Sequence, residues 1–114
     1  MIAMTPKPPY YAVIFTSIQN AKTHGYPASA DRMVELAARQ PGFLGIESAR
    51  EALGITVSYW SSLEAIRAWK VDAEHLLAQQ QGRNRWYRAY HVRIALIERA
   101  YDFASLPDGD PEAE

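Results

Sequence analysis

QPGFLGIESAR, residues 40–50, is followed by EAL at 51–53, GITVSYW at 54–60 and SSLEAIRAW at 61–69. Pro41 and Gly42 close a helix, because one cannot continue it and the other relaxes the backbone beyond it. Phe43 to about Arg50 and Ile55 to Trp60 then read as two adjacent strands. The turn between them, Glu51 to Gly54, predicts an unusual backbone conformation at Gly54. In the second strand Ile55, Val57 and Tyr59 face one way and Thr56, Ser58 and Trp60 the other. Ser61 with Glu64 three residues on is a capping-box pattern, so a second helix starts here.

Working outward, Tyr10 to Ser17 is β-branched and aromatic enough for a strand, preceded by Pro8 and Pro9, which cannot join a ladder. Gln19 to Gly25 reads as a loop, and Pro27 suits the first turn of a helix. Ala30, Met33, Val34 and Ala37 recur at the spacing of one apolar helix face. In the second helix Ile66, Trp69, Ala73, Leu76 and Leu77 form such a stripe, and Gly82 stops it after Gln81. Arg88 to Tyr101 reads as a long strand with Tyr90, Val92, Ile94 and Leu96 on one face and His91, Arg93, Ala95 and Ile97 on the other.

The order is therefore β-α-β-β-α-β, and the fold class is α+β: a ferredoxin-like, four-stranded antiparallel sheet with both helices on one face. The last strand is apolar on both sides, so the face away from the helices also needs a cover. A second copy of the chain is the simplest one, which predicts a homodimer with two sheets facing each other. Residues 1–9 read as a flexible arm, 10–103 as the domain and 104–114 as a disordered acidic tail.

Composition bounds the function. The chain has 114 residues, enough for one core, and a net charge of -1. Four of its thirteen acidic residues, Asp108, Asp110, Glu112 and Glu114, lie in the last seven positions; without them nine remain against twelve basic residues, leaving the folded part mildly basic. That balance gives no case for bulk nucleic-acid binding. No cysteine is present, which excludes disulfides, thiolate metal sites and a cysteine nucleophile. No apolar run is long enough to cross a membrane, and the prolines of MIAMTPKPPY stand where a secretory leader needs its apolar segment. The expectation is a cytoplasmic protein with no membrane partner.

The junction QPGFLG at Gln40 to Gly45, the Trp60-Ser61 exit from the third strand, and Trp69-Lys70 inside the second helix resemble the antibiotic biosynthesis monooxygenase family, a dimeric α+β barrel group that includes quinone-forming monooxygenases and haem-degrading enzymes. The likeness runs from about Tyr10 to Tyr101. It implies a dimer with a pocket in each subunit between the second helix and the sheet. For its monooxygenases it implies no metal or flavin: the anion of a phenol or hydroquinone itself reduces O2. The family's residues carry over only in part. Quinone-forming members place an Asn four residues before the helical Trp and a Tyr six after it, and here these positions are Ala65 and His75. Haem degraders place a ligating His ten residues after that Trp, where this chain has Gln79.

Within that resemblance the candidate catalytic residues are His75, whose imidazole can exchange a proton near neutral pH, and Trp69, whose ring can stack on a flat substrate. The plain alternatives are a solvated helix histidine and a core tryptophan. Trp60, Gln79, Arg83 and Arg93 are the candidate substrate-binding residues. Trp60 also reads simply as a cover for the start of the second helix. Arg83, Arg85 and Arg88 interleave with Trp86, Tyr87 and Tyr90, a combination that can grip a planar anion. His24, His75 and His91 lack the spacing of a metal site. Three functions stay open: a cofactor-independent monooxygenase acting on a small aromatic or polyketide-type substrate; a haem-binding or haem-degrading protein with His75 and His91 as axial ligands; and a non-catalytic ligand-binding dimer.

Overall fold

The computed structural model describes residues 2–20, 34–79 and 87–104, with the side chains of 76–79 left aside. Its elements are β1 (Tyr10–Gln19), the helical residues 34–38 (α1), β2 (Phe43–Arg50), β3 (Gly54–Trp60), α2 (Leu63–Gln79) and β4 (Tyr87–Ile97). The four strands form one antiparallel sheet in the order β2-β3-β1-β4. The ferredoxin-like order expected from the sequence is the order found. The expected loop after β1, the first turn of α1 near Pro27 and the acidic tail from 105 onward lie outside the described residues.

Register decides which side chains meet. Because side chains alternate across a strand, the pairings Val13↔Ser58, Val13↔Ile94 and Ile46↔Ser58 put these four residues on the helix side. That side consists of four cross-sheet rows. They run Phe43, Trp60, Tyr11, Leu96; then Ile46, Ser58, Val13, Ile94; then Ser48, Thr56, Phe15, Val92; then Arg50, Gly54, Ser17, Tyr90. The core sits at the first row. Trp60 is wholly buried with Val13, Ala37 and Ile66, and Tyr11, Phe43, Ala65 and Trp69 pack around them. Phe43 meets the Trp60 ring edge-on at 5.5 Å.

Three local expectations need correction. Gly54 has ordinary backbone dihedrals; Gly42 is the glycine at positive φ, 89°. A Cβ on Gly42 would lie 2.7 Å from the Ala65 Cβ and 2.8 Å from the Ser61 Oγ, so α1, β2 and α2 converge on a point that admits only glycine. The cap of α2 is Ser62, whose Oγ accepts from the Ala65 amide at 3.1 Å. Ser61 is taken up by the sheet end, its amide donating to the Gly42 carbonyl at 2.8 Å, so the next serine serves the helix. Finally, β4 ends at Ile97, and residues 98–104 continue without regular structure, with Tyr101 and Phe103 almost fully exposed.

The face away from the helices is partly covered from within the chain. The Ala3 amide donates to Glu47 Oε2 at 2.9 Å, Thr5 Oγ1 and the Tyr10 hydroxyl are hydrogen-bonded at 2.8 Å, and the Ala3 methyl closes over Gly45. Tyr10 and Ala12 on this face are buried. The face for which a second copy is the simplest expected cover is thus met in part by the chain's own N-terminal residues. Within the sheet, apolar exposure is largest along Tyr90, Val92, Ile94 and Leu96 of β4, each about half exposed on the helix side.

Tyr59 donates to Glu47 Oε1 at 2.6 Å beneath this arm. That bond, with the Ala3 amide second, holds the Glu47 carboxyl below its ordinary range. Burial first, and Glu47 second, push the Tyr59 phenol up to about 12. A lowered carboxyl contributes stability above its unfolded pKa and loses it as pH falls through the folded value; a raised phenol contributes below its unfolded value and loses it as pH rises through the folded one. The stability gap between wild type and Tyr59→Phe, measured by urea unfolding, is therefore expected to be flat from about pH 6 to 9 and to narrow in acid and again between about pH 10 and 12. Phenolate absorbance should lose its latest-titrating component in the variant.

Gly42→Ala is expected to cost about 2 kcal/mol or more, from positive-φ strain plus the clash with Ala65. The measurement is the urea midpoint at unchanged slope.

Candidate active site

Large residues at the first row hold α2 off the sheet, and small ones further along leave space beneath it. Ser58, Thr56 and Gly54 of β3, Ser48 of β2 and Ala73 of α2 bound a cavity of about 410 Å³ between the sheet and the helices. Val13, Phe15, Val92 and Ile94 make its floor largely apolar. Its roof is Ile66, Trp69, Lys70, Ala73 and Glu74 of α2 with Val34 and Ala37 of α1. At the α2 rim the Lys70 Nζ lies 3.6 Å from a Glu74 carboxylate oxygen, an exposed i,i+4 pair worth little stability.

Trp69 stands at the end nearest the core. Its ring lies 5.4 Å from that of Trp60 at a tilt of 34°. Its indole Nε1 is buried and has no hydrogen-bond partner among the described residues. Trp60 differs, since its Nε1 donates to Ser58 Oγ at 2.9 Å. An unmet donor in a cavity wall is a cost that a ligand's acceptor can remove.

At the opposite end, the fourth row brings a cation into the cavity. Arg50 Nη2 donates to the buried Ser17 hydroxyl, and the guanidinium lies over the bare backbone of Gly54, where a Cβ would fall on it. A side chain at position 54 would require the guanidinium to move. Phe15, Tyr87 and Tyr90 form an aromatic cluster alongside, with Phe15 stacked on Tyr90 at 5.2 Å and edge-on to Tyr87 at 5.1 Å.

Of the residues singled out from the sequence, Trp69 lines the cavity. Trp60 lies behind it in the core. His75 is exposed on α2 outside the cavity wall, and Arg93, paired with Ile14, points to the other side of the sheet. Arg83 and the side chain of Gln79 lie outside the described residues. His91, opposite Thr16, is exposed on the side away from the cavity. The position where the resemblance places an Asn in quinone-forming members is Ala65, partly buried beside the core and facing Gly42. Arg50 was missed. Its signal was a basic residue one turn away from a glycine, at the inward end of a strand whose partner carries Thr56 and Ser58 inward. Among the described residues no three His, Asp or Glu side chains gather as a metal site requires, and no helix is long and apolar enough to cross a membrane.

A split β-α-β sheet with a cavity under its second helix is the architecture of small pocket-forming α+β proteins. Residues 9–81 match the model of the family described as antibiotic biosynthesis monooxygenase, and the chain belongs to that family. It is 54% identical over 100 residues to the uncharacterised protein YqjZ of Bacillus subtilis strain 168, covering 86% of this chain and 88% of that one. Among solved structures it is similar in fold to a point variant of SnoaB, a cofactor-independent oxygenase from Streptomyces nogalater, with a TM-score of 0.63, 15% identity, and coverage of 80% of this chain and 95% of that one. It is also similar to a variant of MhuD holding two manganese protoporphyrin IX molecules per active site, with a TM-score of 0.53, 22% identity, and coverage of 83% and 99%.

Proposed function

We propose that this chain is a cofactor-independent oxygenase that admits a flat phenol- or hydroquinone-type substrate to the cavity under α2. The observation that supports this most directly is the buried indole N–H of Trp69, without a partner among the described residues, in the wall of a largely apolar cavity. Family membership and the fold shared with SnoaB support the same reading. The substrate enters as its anion, stacks beside Trp69 and passes an electron to O2. The resulting pair combines as a peroxide, and loss of water leaves a carbonyl, so that one phenol and one O2 yield one quinone and one water. The Trp69 N–H is placed to stabilise the oxyanion that grows during these steps, and the apolar floor keeps water from competing. His75, outside the cavity wall, has no part in this scheme.

The haem reading has less support. None of the described cavity-lining residues is a histidine, the ligand on which that reading drew, and His75 and His91 lie outside the cavity wall. We infer further that the chain works as a homodimer in the cytoplasm. The half-exposed apolar row on β4 and the exposed Tyr101 and Phe103 favour an assembly that covers them.

O2 uptake with a panel of hydroquinones and anthrones is expected to exceed the no-protein rate. Trp69→Phe keeps an aromatic wall and removes the donor, so kcat should fall roughly 10- to 100-fold with KM nearly unchanged, while His75→Ala stays within about twofold of wild type. No uptake across the panel would favour a non-catalytic binding protein. Sedimentation at micromolar concentration is expected to give a dimer mass, and a monomer would remove the assembly from the account.

A further inference from the structure

Ser58 is the one polar side chain in its cross-sheet row. Its neighbours in that row, Ile46, Val13 and Ile94, line the cavity with it. Val13 and Ile66 belong to the core cluster against which Trp69 packs, so the row lies at the Trp69 end. We propose that the Ser58 hydroxyl is a second hydrogen-bond donor to the ligand there, and that this end takes an unprotonated oxygen on an aromatic ring, as in a phenolate, a quinone or an aryl ketone. The proposal rests on the cavity being the ligand site and adds a substrate-contacting residue to the reading above.

A serine at this position is not explained by the strand. β3 is an inner strand of the sheet, and Ser58 is only 4% exposed. A β-branched aliphatic residue would suit both the strand and the row better, and a buried hydroxyl costs stability unless it is hydrogen-bonded. Trp60 supplies half of an explanation, since its indole Nε1–H donates to Ser58 Oγ at 2.9 Å. That bond uses the serine as an acceptor and leaves its own proton to be placed. Among the described residues the Ser58 side chain has no second hydrogen-bond partner. An oxygen that already accepts is also the stronger donor.

The polar groups at this end therefore do not match one another. The protons of Trp60, Ser58 and Trp69 meet one side-chain acceptor among the described residues, the Ser58 oxygen, and the Trp60 proton already occupies it. A ligand oxygen without a proton completes the set, whereas a ligand hydroxyl adds one more donor. In the oxidation proposed above the substrate oxygen is a phenolate before electron transfer and a quinone carbonyl afterwards. It carries no proton at either stage, so one donor can hold it throughout.

The probes are 1-tetralone, which has one ring carbonyl, and tetralin, which has none. Both are titrated against the full chain by equilibrium dialysis, and the carbonyl stretch of the bound ketone is read by infrared difference spectroscopy. In wild type the band is expected below its position in hexane. Ser58→Ala should weaken the ketone about fivefold, leave tetralin within about twofold of wild type, and move the band upward. Ser58→Cys, of similar size and a weaker donor, should place the band between the two. A serine that serves only Trp60 would instead affect both ligands alike and leave the band where it was. The proposal is overturned by a wild-type band at the hexane position, by a band that Ser58→Ala does not move, by parallel weakening of both ligands in a variant with the wild-type circular dichroism, or by a wild type that binds no ketone. If Ser58→Ala fails to fold, the wild-type band and Ser58→Cys decide. No oxygen chemistry enters these readings. A protein that consumes no O2 yet shows the Ser58-dependent band upholds the donor and sinks the oxygenase assignment, while turnover with an unmoved band does the reverse.

Discussion

The burial of Trp60 is the constraint on which the site depends. Its ring fills the gap between the end of the sheet and the start of α2, its indole N–H is met by Ser58, and Phe43 and Trp69 pack on its flanks. A side chain of this size at one end of a helix–sheet contact sets how far apart the two layers sit. Beyond it the inward residues of β3 are Ser58, Thr56 and Gly54, and Ala73 stands on α2, side chains too small to fill that separation. The cavity follows from a large residue succeeded by small ones along β3, and a largely apolar hollow of this size between helix and sheet has the form of a ligand pocket.

Polarity is distributed along this cavity with equal economy. One end holds a neutral donor in an apolar wall, the other a cation laid over a glycine, and an aromatic cluster lines the way between. None of these groups would be chosen to stabilise a core. A buried donor without an acceptor among the described residues costs stability. The presence of these groups together, on elements as rigid as a four-stranded sheet and a long helix, is what marks the space as a binding site.

The architecture was legible because its signals are local: the Pro41-Gly42 stop, the alternation from Ile55 to Trp60 and the serine pair before α2 each depend on a few neighbouring residues. The details that failed depend on contacts between distant ones. Gly54 looked like a turn glycine until Arg50, four residues before it, proved to lie across it. Ser61 and Ser62 are indistinguishable as caps until Gly42 claims the first. Trp69 could be placed on a pocket because it shares a stripe with Ile66 and Ala73. His75 and Arg93 drew attention through their chemistry alone, and the helix phase of one and the strand parity of the other carry them elsewhere. Arg50 could have been found by asking which charged residue falls on the same parity as the inward-facing serines and threonine.

Strand β4 is the longest in the sheet and, among the described strands, has a neighbour on one side only. Its outer rim is a template onto which another extended chain can add. Arg88 and Arg93 sit along it, exposed and positively charged, with His91 between them. Two such rims meeting edge to edge would bring the like charges of Arg88 and Arg93 together. The same residues that leave the strand open to solvent thereby oppose its pairing with a second copy of itself along that rim.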